Sequence, residues 1–268
     1  MKRLALALIS IALTCALAGC GPKPDSWIVS YTAIEEMEKL GPSEKQTTLR
    51  MDGARTFVTG GDPRAVGFAR SVPTAAFTSF ATFEKEVGSL ENVKAALYDC
   101  EAWTLTPPDE QADPAGYMRK FCQLAHEHHL LCITTPGRDL AEHQPGSDLD
   151  EKYLAMKLPE SAARYADYFE IQSQHDEVDA QAFAGFVAKA AAQARRANPS
   201  VRVLAGLSTA HGKDNVAADQ MLRAADAVAR TIVGFWLNIP RKGEACPGCP
   251  AEPHPEIAVR FLAAWFAQ

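Results

Sequence analysis

The stretch VKAALYDCEAWTLTPPDEQADPAGYMRKFCQLAHEHHLLCITT, residues 93–135, contains one complete strand–helix–strand unit. Its two ends, 93–100 and 130–135, are short and mostly apolar, as buried strands are. Between them, Asp113 is a typical helix N-cap residue, and Pro114 suits the first helical position. Apolar side chains then recur along one face of the helix. Two strands joined by a helix predict a parallel pair.

The same alternation continues in both directions along the chain. Strands are predicted at 27–32, 56–59, 75–80, 93–100, 130–135, 168–173, 201–207 and 231–239, with helices between them. Strands alternating with helices indicate a parallel α/β sheet, and eight such units in about 250 residues predict a single (β/α)₈ barrel, the TIM-barrel fold. We expect this domain to span 27–268. Because the first two strands are weak, an open doubly wound sheet is the alternative.

The N-terminus has the pattern of an export signal. A basic start at residues 2–3 precedes an apolar run at 4–17, which is shorter than the roughly 20 residues of a membrane span. The run ends in Leu-Ala-Gly-Cys20, which resembles the lipobox of bacterial lipoproteins. This resemblance implies a signal peptide at 1–19, acylation of Cys20 with a fatty acid such as palmitate, and a short tether at 20–26. An ordinary secretory peptide is the alternative.

A lipid on Cys20 would hold the folded domain in water at the surface of the cell membrane or outer envelope, outside the cytoplasm. The formal net charge of −6, with no basic stripe, argues against nucleic acid as a partner. The sequence predicts no cofactor. Its expected partners are the membrane, through the anchor, and a carbohydrate or another cell-envelope ligand.

Five cysteines follow Cys20, and two of them lie close together in a Pro/Gly-rich loop. In an exported protein, Cys246 and Cys249 are expected to form a local disulfide. A metal site would need two further ligands, and only His254 is near in sequence, so no metal site is predicted. Cys122 and Cys132 are expected to be free and buried among apolar side chains.

The strongest candidate site is the pair Asp99 and Glu101 at the end of the fourth strand. Side chains alternate along a strand, so Leu97, Asp99 and Glu101 share one face. If Leu97 points into the barrel, both carboxyl groups stand at the end where active sites of such barrels lie. Two close acids resist ionising together, which predicts a protonated Glu101 beside an ionised Asp99. The alternative is a pair of solvated strand-end acids.

This triplet at the end of strand four resembles the chitinase and hevamine-like family of glycoside hydrolases, family 18. Those proteins are (β/α)₈ barrels whose fourth strand ends in Asp-x-x-Asp-x-Asp-x-Glu. The resemblance implies that Glu101 is the general acid and that Asp99 orients the N-acetyl group of the substrate, which attacks in place of a protein carboxylate. The two earlier aspartates of the motif fall on Lys94 and Leu97 in this chain.

Two later strands supply candidate substrate-binding residues. Strand six carries Glu170, Gln172 and Gln174 on one face, and strand eight carries Trp236 and Asn238. An indole ring at a barrel mouth suits stacking against a sugar, and core packing is its alternative. For the strand-six residues the alternative is a hydrogen-bonded polar layer inside the barrel.

Residues in the neighbouring loops complete the predicted cleft. Trp103 follows the acid pair and is expected to line the same cleft. Arg138 and Asp139 follow strand five and are expected to bind substrate hydroxyls, with a structural ion pair as the alternative. Gly234 is expected to leave room for the ring of Trp236.

The sequence therefore predicts a membrane-anchored barrel related to glycoside hydrolases that acts on a carbohydrate with Glu101 as its acid. A non-catalytic barrel that binds carbohydrate or an envelope partner is the rival hypothesis. The missing motif aspartates favour the rival, whereas the presence of both Asp99 and Glu101 favours the enzyme. A retaining barrel with two glutamates usually carries them on strands four and seven, but strand seven ends at 205–209 without a carboxylate. Glu170, facing Glu101 across the mouth, is the alternative second acid.

Overall fold

A computed structural model describes residues 23–174, 176–243 and 246–268, and in this part of the chain eight parallel strands close into a barrel. The predicted (β/α)₈ fold is therefore confirmed. Each strand pairs with its neighbours in sequence, and the last closes against the first through Ser26 and Gly234. The strands are β1 (Ser26–Ser30), β2 (Thr56–Thr59), β3 (Val72–Phe77), β4 (Ala95–Tyr98), β5 (Leu131–Thr134), β6 (Tyr168–Ile171), β7 (Arg202–Ser208) and β8 (Gly234–Asn238). The predicted signal peptide and Cys20 lie outside the described residues.

Helices cover the outside of the barrel. They are α1 (Tyr31–Glu38), α2 (Pro42–Leu49), α3 (Phe80–Glu86), α4 (Pro108–Ala112), α5 (Pro114–Glu127), α6 (Leu149–Ala155), α7 (Leu158–Ala163), α8 (Ala180–Ala197), α9 (Ala218–Val228) and α10 (Pro255–Ala267). Asp113 caps α5 as predicted, because its carboxylate accepts the N–H of Gly116 at 2.9 Å. None of the described helices has the length and apolar character needed to cross a membrane.

The structure corrects several predicted boundaries, and helix capping explains two of them. Ser79 caps α3 by accepting the N–H of Thr82, so the chain leaves the sheet at Phe77 rather than at residue 80. Ser30 likewise caps α1 by accepting the N–H of Ala33 at 3.1 Å, which ends β1 before residue 32. The short helix α2 was not predicted because its sequence is almost wholly polar.

The inside of the barrel is apolar in its lower part and polar at the top. Every second residue of each strand points inward. The buried inward set consists of Ile28, Phe57, Ala95, Leu97, Ile133, Tyr168 and Leu204. Because Leu97 belongs to this set, Asp99 and Glu101 follow it on the inward register, above the apolar layer, at the carboxyl ends of the strands.

Two disulfides occur among the described residues. Cys246 and Cys249 are joined, as the sequence predicts. The prediction of free cysteines at 122 and 132 is wrong, because these two residues are also joined, with their Cα atoms 5.2 Å apart. Cys122 lies on the buried face of α5, and this face packs against the outer side of β5, which carries Cys132. Cys100 is free and buried.

Candidate active site

A cleft of about 980 Å³ opens at the carboxyl ends of the barrel strands. Loops that follow most of the strands contribute to it, which is the usual site of function in this fold. Of the residues predicted from the sequence, the cleft is lined by Asp99, Glu101, Trp103, Arg138, Asp139, Gln172, Gln174, Trp236 and Asn238. The disulfide loop also borders it through Cys246 and Cys249.

Asp99 and Glu101 lie partly buried on the cleft floor, where one amide links them. Nε2 of Gln172 donates to Oδ1 of Asp99 at 3.1 Å and to Oε1 of Glu101 at 2.8 Å. The same nitrogen lies 3.1 Å from the carbonyl oxygen of Thr135, whose hydroxyl donates to Asp99 at 2.8 Å. Strands β4, β5 and β6 thus fix the two carboxyl groups together.

This environment gives the two acids different pKa values. Burial, followed by the negative charge of Asp99, raises the pKa of Glu101 to about 9. Burial also raises the pKa of Asp99, to about 6, while hydrogen bonds from Thr135 and Glu101 favour its ionised form. Near neutral pH, Glu101 therefore holds a proton that it can donate, and Asp99 is mainly ionised beside it. Such a pair has the chemistry of a general acid with a charged partner.

A third carboxyl group reaches the pair from the loop after β5. A Cβ atom on Gly137 would lie 2.8 Å from Cγ of Glu101 and would also clash with Oδ1 of Asp139, so both side chains occupy the space beside this glycine. The negative charge of Asp139 adds to the rise in the pKa of Glu101. Oδ1 of Asp139 is buried and accepts no hydrogen bond from the described residues.

Glu170 lies inside the barrel, below the cleft rather than on its surface. Leu97 is level with Ile133, and Ile133 with Tyr168. Two residues further along each strand, Glu170 is in register with Asp99, and it is one inward position below Gln172, which lines the cleft. It is fully buried, and neither of its oxygens has a hydrogen-bond partner within the described chain. Burial, with the nearby charges of Asp99 and Glu101, raises its pKa well above the ordinary value, so the predicted direct contact with substrate is not available to it.

Arg138 forms structural ion pairs, which was the alternative to substrate binding. Its partners are Asp150 and Asp176 rather than Asp139. Its guanidinium donates to Asp150, to Asp176 at 2.6 Å and to the carbonyl oxygen of Gln174 at 2.7 Å. These contacts tie the loop after β5 to the start of α6 and to the loop after β6. Although Arg138 lines the cleft, its donors are largely occupied.

Two tryptophans line the cleft as predicted, but Gly234 does not make room for Trp236. A Cβ at Gly234 would collide with the backbone of Ser26 in β1. Gly206 of β7, which is paired with Trp236, leaves room for the amide of Gln174, since a Cβ there would collide with that amide. Trp103 is fixed by its indole N–H, which donates to the hydroxyl of Thr106 at 2.7 Å.

Sequence reasoning did not identify the supporting roles of Thr135 and Gly137. The sequence does indicate that both point toward the cleft, because they follow Ile133 at every second position beyond β5. The placement of Asp139 beside Glu101 had no comparable signal, because a short 3₁₀ turn at Arg138–Ala141 sets it.

No family model matches this chain, and no curated protein sequence matches it. Similar solved structures include a triosephosphate isomerase from Bartonella henselae, with 11% identity and a TM-score of 0.46, covering 91% of this chain and 100% of that chain. A putative alpha-L-fucosidase from Bacteroides thetaiotaomicron has 9% identity and a TM-score of 0.43, covering 70% of this chain and 61% of that chain.

The spore cortex-lytic enzyme SleL of Bacillus megaterium has 11% identity and a TM-score of 0.42, covering 82% of this chain and 60% of that chain. The chain thus spans about three fifths of the length of the fucosidase and of SleL. With identities this low, these similarities add no argument about function to the geometry of the cleft.

Proposed function

We propose that this protein is a glycoside hydrolase-like enzyme that acts on a carbohydrate in the cleft, with Glu101 as the general acid. The observation that carries the proposal is the pair Asp99 and Glu101, held by Gln172 at the cleft floor, with Glu101 protonated near neutral pH. Glu101 would donate its proton to the glycosidic oxygen as the bond to the anomeric carbon breaks. Water would then bond to the anomeric carbon and return a proton to the carboxylate of Glu101. Asp99 stays charged beside it and would stabilise the positive charge that develops on the sugar ring.

The supporting residues have defined tasks in this proposal. Gln172 and Thr135 keep Asp99 oriented through the hydrogen bonds already described. Trp236 and Trp103 offer indole surfaces on which sugar rings can stack. Gln174 and Asn238 add polar groups to the same cleft, which suits the few fixed polar contacts of ligand sites.

A second candidate is a barrel that binds a carbohydrate or a cell-envelope partner without turnover. Two observations favour it. Leu97, at the position of a motif aspartate in the family 18 hydrolases, is a buried apolar residue of the barrel interior. Gln172 also already satisfies one oxygen of each carboxyl group, which would suit a rigid binding surface as well as an active site.

Substitution of the acid separates the two candidates. The purified full chain and its Glu101→Gln variant are incubated with chitin-type, peptidoglycan-type and neutral glycans, and new reducing ends are measured alongside binding. We expect turnover of at least one glycan to fall by about 100-fold or more in the variant, the usual contribution of a general acid. Binding to both forms without turnover in either would instead establish the second candidate.

Glu142→Gln is the matched control for this experiment. Glu142 lines the same cleft but is exposed at its edge. The control makes the same replacement of a carboxyl group by an amide, and we expect it to leave turnover nearly unchanged. An equal loss in both variants would show that any such change in the cleft, not loss of the acid at position 101, is responsible.

We also propose that the domain is displayed outside the cytoplasm by a lipid on Cys20. Two disulfides support this location, because disulfides persist in oxidising compartments. The tether predicted at 20–26 would end one residue earlier, at residue 25, because β1 begins at Ser26.

A further inference from the structure

We propose that the glycan bound by this cleft carries a free, cationic amino group, and that Asp139 receives this group beside Glu101. The inference rests on the proposed function, since it names the substrate class of the same cleft. It concerns the charge of the ligand, which the arrangement of the acid pair alone does not decide.

The first observation is an acceptor without a donor at the cleft floor. Oδ1 of Asp139 is buried, lies against the side chain of Glu101, and receives no hydrogen bond from the described residues. Burial raises the pKa of this carboxyl group, while the main-chain N–H groups of Ala102 and Leu140 favour its charged form. Such an acceptor is stabilised when a ligand brings a donor to it, most strongly when that donor is a cation that favours the ionised carboxylate.

The second observation is a further acid below the floor. Glu170 is fully buried, and no described residue donates to either of its oxygens. It is near enough to Asp99 and Glu101 for their charges to raise its pKa, so four carboxyl groups converge on this part of the barrel. Glu101 and Glu170 keep their protons near neutral pH, so a ligand cation placed above them is attracted mainly by Asp99 and Asp139.

The third observation is that none of the described basic side chains forms an ion pair with these acids. Arg138 lies nearby but is bound to Asp150 and Asp176. The other basic side chains that line the cleft, Arg241 and Lys242, are exposed on the loop after β8. The floor therefore attracts an ammonium group and repels a carboxylated sugar.

The tryptophans that line the cleft favour a glycan over a peptide as the source of the ammonium group. Trp103 and Trp236 both line it. An indole face packs against the apolar face of a sugar ring and also attracts a cation. A sugar ring that carries an amino group satisfies the indoles and Asp139 together, whereas a flexible lysine side chain offers only the charge.

Calorimetric titration of the full chain tests this inference with four probes of similar length. These are a β-linked glucosamine oligomer with free amino groups, its fully N-acetylated form, a uronic acid oligomer and oligolysine. We expect the free-amino glycan to bind at least tenfold more tightly than each of the others, and its binding to weaken as salt is raised from about 20 to 200 mM.

Asp139→Asn is the diagnostic variant, because it keeps the shape of the side chain and removes its charge. We expect it to weaken binding of the free-amino glycan about tenfold and to change binding of the N-acetylated form less than twofold. Glu142→Gln is the control, and we expect a less than threefold effect on either glycan. Circular dichroism of each variant verifies folding.

The outcomes separate this inference from the proposed function. If the N-acetylated or carboxylated oligomer binds as tightly as the free-amino form, only the inference is overturned. Equal binding of oligolysine overturns it too, in favour of a peptide ligand. If no glycan binds or is cleaved, the proposed function and the inference both fail.

Discussion

At the scale of single residues, strand alternation was sufficient to predict the central pair. Leu97 identifies the inward register, and Asp99 and Glu101 follow on it. Alternation also predicts Gln172 at the same end of the barrel, but not that one amide nitrogen would contact both acids. Asp139 could be predicted only as a loop residue, since its position depends on how Gly137 packs against Glu101.

The raised pKa values of Asp99 and Glu101 predict that turnover falls off at both low and high pH. Glu101, with its pKa raised to about 9, loses its proton as pH rises through that value, which abolishes acid catalysis. Asp99, with its pKa raised to about 6, becomes protonated as pH falls through that value and loses its charge. We expect kcat/KM to be highest between these limits. Asp139→Asn should move the upper limit to lower pH, and a profile without an upper limit below pH 10 would contradict the role of Glu101.

Gly137 predicts a residue-scale effect on the site without a charge change. In Gly137→Ala the new methyl group would lie 2.8 Å from Cγ of Glu101, so the acid must move. We expect turnover to fall at least tenfold, with a loss of about 1–3 kcal/mol in the free energy of unfolding from overpacking. Gly88→Ala is the control, because no atom lies within 4 Å of its added methyl group. Similar turnover in both variants would show that the position of Glu101 tolerates this change.

Glu170 predicts how stability responds to pH. Its pKa is raised well above the ordinary value in the folded state, so the folded protein keeps a proton that the unfolded chain releases. Stability should therefore fall as pH rises above the ordinary carboxyl pKa, by about 1.4 kcal/mol per pH unit for each retained proton. We expect Glu170→Gln to reduce this slope by one proton in urea unfolding measured between pH 5 and 8. An unchanged slope would mean that Glu170 is ionised inside the barrel.

At the scale of elements, the sequence was informative about strands and less so about their ends. All eight strands were predicted, because β-forming residues alternate with helix-forming stretches. Their boundaries shifted where a polar residue turned out to be a helix cap, as Ser79 does before α3. The disulfide between α5 and β5 could not be predicted, because it depends on which faces of two elements meet in space.

That disulfide predicts a difference between the two cystine bridges. Cys122 and Cys132 are separated by 10 residues and connect a helix to the barrel wall, whereas Cys246 and Cys249 are separated by 3 within one loop. Because a longer closed loop restricts the unfolded chain more, we expect Cys122→Ala/Cys132→Ala to lower the free energy of unfolding by about 2–3 kcal/mol. Cys246→Ala/Cys249→Ala should cost less in the same denaturant titration. The reverse order would contradict a structural role for the α5–β5 bridge.

At the scale of the whole molecule, repetition made the barrel predictable. Each βα unit is local in sequence, and closure needs only that β8 meets β1, which Ser26 and Gly234 accomplish through close backbone contact. The cleft was less predictable, because its walls come from loops that follow several different strands. The sequence of no single loop indicates which ligand the cleft binds.

The proposed anchor predicts where the whole molecule resides. We expect the wild-type protein, expressed in a bacterial host, to fractionate with membranes and to incorporate labelled palmitate. Cys20→Ala should abolish the label and prevent membrane retention of the mature domain. Label incorporation that persists in Cys20→Ala would place the modification elsewhere.

The direction in which the barrel strands run would orient the molecule if Cys20 carries the proposed lipid. Strand β1 enters the barrel at Ser26, at the end opposite the cleft. Six residues of chain between a lipidated Cys20 and this entry would extend at most about 22 Å. The closed end of the barrel would then stand next to the bilayer while the open end points outward. Such a protein would sample polymers that arrive from the surroundings, and the lipids beneath it would be out of reach of its acids.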